Sequence, residues 1–420
     1  MHNSSLKICF YFPYHEVSGV PVLFSRIANE LSNSYPEIKI SCIDYVDGAI
    51  ARSISSDIEL IPFKDGYKVS PPEDSVLVMQ SILPYSIRPE LNIPSTTKIV
   101  FWNLHPDCLV PSLLPFPFLR NLQNKYFTLY KVLGQTVFSK LVQRVKLFTE
   151  QLISNNALWF MDQPNLEKTN KYLFSQIQNV GFLPVPSKSS SNIIEVKTKS
   201  FERFKFCWVG RLCDFKSYIL MYTIKKLSKA AQELKIGIEY NVIGDGPFKD
   251  EIQALNVNND WFQLNVLGSM EPIELDNYLL NEVDVLTAMG TSALEGAKFG
   301  IPTILLDISY YPVKSDYMFR WLYQTKNFDL AHEISENDIS LGNRSLENML
   351  LELKRNYEVI SANTLQYFYD NHEIKSFLIE FLKKIKSVDL SYGQINKEYF
   401  KRSVFRKGYN WIRGYKSVLN

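Results

Sequence analysis

Residues 284 to 307 read "DVLTAMGTSALEGAKFGIPTILLD", and this stretch decides the predicted fold. A short apolar run stands at each end, and the segment between them begins with Gly, Thr and Ser, which favour a turn and a helix start. A strand, a turn, a helix and a second strand in this order form the unit from which parallel sheets are built. The stretch therefore predicts an α/β fold.

The same alternation of strands and helices runs along most of the chain. The predicted strands of the first half are "KICFYF", "IKISCI", "DSVLVMQ", "TKIVFW", "ALWFMD" and "VGFLPV", and those of the second half are "FKFCWVG", "GIEYNVIG", "FQLNVLG", "VDVLTAM" and "IPTILLD". Mixed segments of helical length separate them, which is typical of doubly wound sheets covered on both faces. From about 343 the pattern is helical.

We therefore predict two Rossmann-like domains and a set of C-terminal helices. The N-terminal domain covers 1–187, a Ser/Lys-rich linker covers 188–202, and the C-terminal domain covers 203–372. Residues 373–420 form the final helices and a basic aromatic tail. These helices can cross back to the first domain.

Composition restricts the class of protein. Lys and Arg number 46 and Asp and Glu number 44, so no strong overall charge indicates nucleic acid as a partner. The five cysteines lack the paired spacing of zinc or redox sites, which fits a reducing compartment. The first residues show no signal-peptide pattern, and no run reaches the roughly 18 apolar residues of a membrane span. The expected location is cytoplasmic.

Loops that follow strands are the places to look for chemistry, because ligands of open α/β sheets bind beyond the carboxyl ends of the strands. In "WVGRLCDFKS", Arg211 and Lys216 follow a strand, and their charges suit the oxygens of a diphosphate. The alternative is that both are ordinary solvated surface charges.

In "VIGDGPFKDEI", Gly244 and Gly246 also follow a strand. The spacing fails as a dinucleotide fingerprint because Lys249 stands where a third small residue belongs, and no P-loop occurs in the chain. A tight strand-to-helix turn is the alternative interpretation.

The opening stretch offers a third candidate. Gly290 permits an unusual backbone angle, Thr291 or Ser292 can cap the helix, and amides at a helix start can bind an anion. Glu295 has a structural alternative, because Ser292 and Glu295 have the spacing of a capping box.

The N-terminal half contributes two further candidates. Gly19 lies between the first strand and an amphipathic helix, where it would let the backbone approach a ligand. His105 stands just past the strand "KIVFW" and could bind a sugar hydroxyl. The alternative for His105 is a ring satisfied by neighbouring loop amides.

The order of these motifs from 205 to 307 resembles the C-terminal domain of GT-B glycosyltransferases, specifically the retaining family 4. The resemblance implies transfer of a sugar from a nucleotide-diphosphate donor to an acceptor hydroxyl, with retention at the anomeric carbon. It implies that Arg211 and Lys216 neutralise the donor diphosphate without a metal or other cofactor, and that Glu295 binds the ribose. Backbone near Gly268 and Ser269 would face the nucleobase, and amides from Gly290 to Ala293 would meet phosphate.

Two other functions stay open, and one of them follows from a departure from the family pattern. The family often has a second glutamate eight residues before Glu295, and Thr287 occupies that position here. A catalytically degenerate transferase that acts as a binding or scaffold subunit would also fit this loss. A nucleotide-sugar epimerase of the same fold would share the donor site but lack an acceptor.

Two basic segments with apolar residues suggest a membrane-associated acceptor. Residues 397–420 hold seven Lys or Arg and one Glu among aromatic residues, and 127–148 is a basic amphipathic segment. Such segments suit an anionic membrane surface, although ordinary packed helices are the alternative. We therefore hypothesise a peripheral enzyme on the inner face of the cytoplasmic membrane. Its acceptor would be a lipid-linked saccharide. The product would be lipopolysaccharide O-antigen, capsule or a similar surface polysaccharide.

Overall fold

A computed structural model describes residues 5–111, 113, 126–178, 180–190, 203–313, 317–334 and 342–401. The chain divides into two compact units. Unit 1 consists of Met1–Pro184 and Leu378–Asn420, and unit 2 consists of Val185–Phe377. Most of the predicted linker at 188–202, and the predicted tail from 402 onward, lie outside the described residues.

Unit 1 contains one sheet and its helices. Its strands are β1 (Lys7–Tyr11), β2 (Lys39–Asp44), β3 (Glu59–Pro62), β4 (Val76–Gln80), β5 (Lys98–Asn103) and β6 (Leu158–Phe160). Its α-helices are α1 (Gly19–Ser34), α2 (Phe127–Gln135), α3 (Ser139–Ser154) and α4 (Gln163–Leu173), with 3-10 helices at Pro84–Ser86, Tyr392–Gln394 and Lys397–Phe400.

Unit 2 repeats this plan. Its strands are β7 (Arg203–Val209), β8 (Gly237–Ile243), β9 (Phe262–Gly268), β10 (Val285–Ala288), β11 (Thr303–Leu305) and β12 (Arg320–Trp321). Its α-helices are α5 (Asp214–Leu234), α6 (Lys249–Gln253), α7 (Pro272–Glu282), α8 (Ser292–Ala297) and α9 (Leu346–Asn371), with a 3-10 helix at Leu322–Gln324. Helix α10 (Ile374–Ser387) begins in unit 2, and its residues from Leu378 belong to unit 1.

The two sheets have the same strand order. The first runs β3-β2-β1-β4-β5-β6, and the second, read in the opposite direction, runs β9-β8-β7-β10-β11-β12. All pairs are parallel except β11 with β12. This is the dinucleotide-binding Rossmann order, in which the chain changes direction between the first and fourth strands. The expected ligand positions are therefore beyond β1 and β4 in unit 1 and beyond β7 and β10 in unit 2.

Strand β7 shows how the sequence produces the layered core. Phe204, Phe206 and Trp208 pack into one apolar cluster, whereas Cys207 and Val209 pack into a second cluster. Alternate side chains of a strand point to opposite faces of the sheet. A continuous apolar run in a parallel strand therefore supports helices on both faces.

Most predicted strands are present, and the differences have local causes. The prediction of a strand at "VGFLPV" is wrong, since this segment makes only an isolated bridge between Phe160 and Phe182. Strands β3 and β12 escaped prediction because β3 is short and ends in Pro62, and β12 has two residues. The two predicted C-terminal helices correspond to α9 and α10.

Within the residues that the structure describes, no helix is long and apolar enough to cross a membrane.

Candidate functional site

The loops at the carboxyl ends of β7, β8 and β9 meet through backbone hydrogen bonds. Leu212 N donates to Asp245 O over 2.9 Å, and Gly244 N donates to Gly268 O over 2.8 Å. Gly244 has a φ of +146°, and a Cβ at this position would lie 2.0 Å from the carbonyl oxygen of Gly210. Only glycine allows this approach, so the motif around Gly244 holds the adjacent loop that contains Arg211.

Arg211 and Lys216 are cations in the β7–α5 loop and at the start of α5. Arg211 is exposed and Lys216 is half-buried. The ammonium of Lys216 lies 5.8 Å from the centre of the Phe215 ring. Within the described ranges, neither side chain forms an ion pair with a carboxylate. Burial lowers the pKa of Lys216, because partial loss of water disfavours the charged form. An anion bound here would restore the lost stabilisation.

Gly290 to Glu295 follow β10, the strand next to β7 in the sheet. They form the β10–α8 loop and the first turn of α8. Gly290 has a φ of +61°, and a Cβ there would meet no atom within 4 Å. Thr291 is the N-cap of α8 and Ser292 the first helical residue, but no side chain caps the helix. The capping-box interpretation of Ser292 and Glu295 is therefore wrong.

Glu295 instead takes part in an ion-pair cluster around the buried ammonium of Lys298. Its Oε2 lies 2.7 Å from Nζ of Lys298, which also lies 2.7 Å from Oδ1 of Asp276 in α7. Lys298 is buried, whereas the Glu295 side chain is 30% exposed. Glu295 therefore remains accessible to solvent, while Lys298 holds one of its carboxylate oxygens.

Two other residues of the predicted donor site lie at strand ends. Gly268 ends β9 with a φ of +79°, and Ser269 follows it as an exposed residue. Thr287, which occupies the position of the missing family glutamate, is buried in β10. Its hydroxyl forms hydrogen bonds with the Tyr240 hydroxyl and with Cys207 O. The Thr287 side chain is thus committed to the interior of unit 2.

A buried charge cluster follows β11. Arg320 donates to both carboxylate oxygens of Asp307, over 2.7 and 2.8 Å, and to Asp329 over 3.1 Å. His332 Nδ1 lies 3.0 Å from Asp307 Oδ1. Leu330, between Asp329 and His332, accepts the Gly290 amide over 2.8 Å. The cluster therefore supports the segment against which the β10–α8 loop rests.

The pKa values in this cluster follow from charge balance. Burial alone would raise the pKa of Asp307, but the neighbouring His332 and Arg320 hold it below its usual range. Burial raises the pKa of Asp329. Burial opposes the charging of His332, but Asp307 and Asp329 outweigh this effect and raise its pKa. The charge of Asp307 thus depends on Arg320 and His332, whereas burial outweighs these neighbours at Asp329.

In unit 1, His105 lies in the loop after β5 and is exposed. Its Nδ1 accepts a hydrogen bond from the Asp107 amide over 3.1 Å, as in the alternative of a ring satisfied by loop amides. The Asp107 carboxylate lies 3.0 Å from Nζ of Lys168. A neutral ring with Nδ1 as acceptor carries its proton on Nε2. His105 can therefore still donate a hydrogen bond to a ligand.

Gly19 is the first residue of α1, after the N-cap Ser18. A Cβ at Gly19 would meet no atom within 4 Å. The helix start is thus open, although no contact in the described residues requires glycine there.

The structure brings together the loops of Gly210, Gly244 and Gly268. Arg211 lies on the first of them, and Lys216 lies at the start of the helix that follows it. No hydrogen bond among the described residues joins these cations to Glu295. Sequence reasoning missed Lys298, Asp276 and the Arg320 cluster. The three-residue spacing of Glu295 and Lys298 could have predicted their ion pair. No local pattern indicated the partners that lie far away along the chain.

Among the described residues, no group of three or more His, Cys, Asp or Glu side chains could hold a metal ion.

No protein-family model matches this sequence, and a search of curated proteins finds no match. Solved structures do resemble it. A glycosyltransferase from Rickettsia africae aligns over 92% of this chain and 99% of its own, with 10% identity and a TM-score of 0.54. WaaG, a glycosyltransferase involved in lipopolysaccharide biosynthesis, aligns over 90% of this chain and 99% of its own, with 14% identity and a TM-score of 0.47.

At 10% identity the first of these likenesses shows a shared fold and nothing about activity. Together with the two sheets of Rossmann order, it confirms the predicted fold class. The chain has the GT-B fold.

Proposed function

We propose that the protein is a glycosyltransferase that moves a sugar from a nucleotide-diphosphate donor to a hydroxyl of a saccharide acceptor. The observation that carries this proposal is the pair Arg211 and Lys216, which have no carboxylate partner among the described residues. They stand beyond β7, at the point where the strand order of unit 2 changes direction. A diphosphate supplies the anion that such a pair lacks.

The proposed chemistry uses these cations on the leaving group. The bond between the anomeric carbon and the diphosphate oxygen breaks, and a bond from the acceptor oxygen to that carbon forms. Negative charge grows on the diphosphate, so fixed cations there stabilise the transition state more than the ground state. In the retaining reaction the leaving phosphate oxygen takes the acceptor proton, and the chain needs no separate base.

The remaining predicted residues hold the donor and acceptor. In this proposal Glu295 accepts hydrogen bonds from the ribose, and the backbone at Gly268 and Ser269 faces the base. The amides of Thr291 and Ser292 bind phosphate, whereas those of Gly290 and Ala293 already donate to Leu330 O and Gly290 O. The backbone at Gly19 adjoins the acceptor. His105 donates from Nε2 to a sugar hydroxyl, a role supported by its exposed ring and occupied Nδ1.

We propose a lipid-linked saccharide of a surface polysaccharide, such as O-antigen or capsule, as the acceptor. Support comes from α2, α3 and the turn between them in unit 1. Leu129, Val132 and Val137 are exposed there beside the exposed Lys131 and Lys140. Apolar side chains among lysines suit an anionic membrane surface. Sedimentation with vesicles tests this location, and equal binding to neutral and anionic vesicles would contradict the role of the lysines.

A screen of nucleotides tests the donor site first. Melting temperature is measured with UDP, GDP, ADP, CDP and dTDP and with their sugar conjugates. At least one should stabilise the protein, because a ligand that binds only the folded state raises its apparent stability. Failure of every nucleotide to raise the melting temperature would overturn the proposal.

A turnover assay then distinguishes a glycosyltransferase from an epimerase and from a scaffold subunit. The stabilising nucleotide sugar is incubated with and without lipid-linked saccharide, and both nucleotide release and sugar configuration are followed. Acceptor-dependent release of the nucleoside diphosphate is expected, with an α-linked product from an α-linked donor. Conversion of the donor sugar without acceptor would identify an epimerase, and binding without turnover would identify a scaffold subunit. A chelator should leave the rate unchanged if Arg211 and Lys216 replace a metal.

A further inference from the structure

Lys298 has surroundings that are unusual for a lysine. It follows α8 directly, and its residue is only 8% exposed. Its ammonium lies 2.7 Å from Glu295 Oε2, 2.7 Å from Asp276 Oδ1 and 5.0 Å from the centre of the Phe299 ring. Lysine is seldom buried unless it is paired. The two carboxylates and the Phe299 ring therefore fix the position of this ammonium.

The arrangement also fixes Glu295. Lys298 occupies Oε2, whereas Oε1 accepts no hydrogen bond from the residues that the structure describes. Two carboxylates share one ammonium, so the cluster keeps a net negative charge. The Glu295 side chain is 30% exposed and the Asp276 side chain is 44% exposed, so both carboxylates reach solvent. The cluster thus orients Glu295 and leaves its Oε1 able to accept a hydrogen bond.

We propose that Lys298 is a positioning residue that holds Glu295 so that its Oε1 accepts a hydrogen bond from a ribose hydroxyl of the donor. Asp276 anchors Lys298 from α7. The inference rests on the proposed function and extends it, because it assigns ribose selectivity to a three-residue cluster and not to Glu295 alone. Without this anchor, the Glu295 side chain would be ordered only when the ribose binds. The entropy cost of that ordering would weaken the hydrogen bond's contribution to selectivity.

The test compares ribose with deoxyribose. Dissociation constants are measured for the nucleoside diphosphate that binds, with UDP, GDP and ADP tried in turn, and for its 2′-deoxy and 3′-deoxy counterparts. In the unaltered protein, one deoxy form should bind about tenfold more weakly, since a hydrogen bond to a charged group is lost. Lys298→Met should reduce this ratio severalfold while the affinity for that deoxy form changes little.

A double-mutant cycle shows whether Lys298 acts through Glu295. Glu295→Gln should also reduce the ratio, and Lys298→Met should have little further effect in that background, because both changes disable the same contact. Two independent, additive losses would overturn the inference.

The matched control is Lys205→Met. Lys205 pairs with Glu282, so this variant also removes an ion pair of α7 but leaves Glu295 and Asp276 in place. It should retain the full ribose-to-deoxyribose ratio. An equal reduction in this variant would mean that Lys298 merely anchors α7. Asp276→Asn provides a second route if Lys298→Met fails to fold, and it should reduce the ratio in the same direction.

The outcomes also separate this inference from the proposed function. If no nucleoside diphosphate binds the unaltered protein, the proposed function itself fails. If the unaltered protein binds and discriminates, but Lys298→Met and Asp276→Asn keep the full ratio, only the role of Lys298 is overturned. A larger ratio in Lys298→Met would likewise overturn it, since Lys298 would then withhold Glu295 from the ligand.

Discussion

Units 1 and 2 share a strand order but differ in how the charges at the carboxyl ends of their strands are partnered. In unit 1, Arg88 lies 3.0 Å from Asp65, and Lys168 lies 3.0 Å from Asp107. In unit 2, Arg211 and Lys216 have no such partner within the described part of the chain.

The difference shows what topology provides and what the loops add. A doubly wound sheet creates a ligand position wherever its strand order changes direction, whatever the sequence of the loops. The paired charges beyond β4 and β5 leave those loops of unit 1 suited to a neutral, hydroxyl-rich ligand. The two unpaired cations beyond β7 make that loop of unit 2 suited to an anion. The two loop sets therefore favour acceptor and donor respectively in the proposed reaction.

The largest effect should come from breaking the buried cluster of unit 2. Arg320→Met leaves Asp307 and Asp329 buried without their shared cation, and the free energy of unfolding should fall by about 3–5 kcal/mol. Urea denaturation measures the loss. Arg88→Met in unit 1 is the control, because its more exposed pair with Asp65 should contribute about 1 kcal/mol or less. Equal losses would contradict the distinction between buried and exposed pairs.

Lys216→Met tests the unpaired cations. The variant should fold and should lose about 100- to 1000-fold in turnover, because one preorganised charge at the leaving group is removed. Release of nucleoside diphosphate from the donor sugar measures the rate. Lys229→Met, on the same helix, removes an exposed pair with Glu233 and should leave the rate unchanged. A loss below tenfold in Lys216→Met would place that charge outside the reaction.

Gly244→Ala and Gly19→Ala compare the glycines of the two units. The first adds a Cβ 2.0 Å from Gly210 O at positive φ, so stability should fall by about 2 kcal/mol or more, with weaker donor binding. The second adds a Cβ in open space, so stability should change by less than about 0.5 kcal/mol. Thermal unfolding measures both. A raised KM for the acceptor in Gly19→Ala alone would support the predicted role of Gly19.

Glu295→Gln should weaken donor binding about tenfold and leave the melting temperature nearly unchanged. Glutamine keeps the shape of the side chain but loses the charge that strengthens a hydrogen bond to ribose. Calorimetric titration of the nucleotide measures the affinity, with Glu282→Gln on α7 as the control. Unchanged affinity in Glu295→Gln would return this residue to a purely structural role.

The smallest effect should be the pH dependence due to His332. Its pKa in the folded protein is raised above the ordinary value of 6.5, because Asp307 and Asp329 outweigh the effect of burial. Its contribution to stability is therefore complete below pH 6.5 and is lost as pH rises through the raised pKa. Unfolding free energies of the natural protein and of His332→Asn, measured from pH 6 upward, should converge. Parallel curves would contradict the effect.

Particular residues show how far the sequence could be read. The apolar runs of β7, β8 and β10 predicted these strands correctly, because a buried parallel strand needs such a run. Arg211, Lys216 and Glu295 were selected from motif order, and their roles remain predictions. "VGFLPV" has a strand-like composition but lies beside β6 with a single bridge, since composition does not specify a pairing partner.

By itself, the sequence determined the alternation of strands and helices, hence two doubly wound sheets, and it placed Gly244 and Gly290 at turns. These are local properties, because periodicity and backbone freedom depend on neighbouring residues. Only the tertiary structure decided the partners of each charge. Asp276 reaches Lys298 from another helix, and Asp307 meets Arg320 and His332 across a loop. Such contacts depend on how distant segments pack, and packing also left Lys216 without a counter-charge among the described residues.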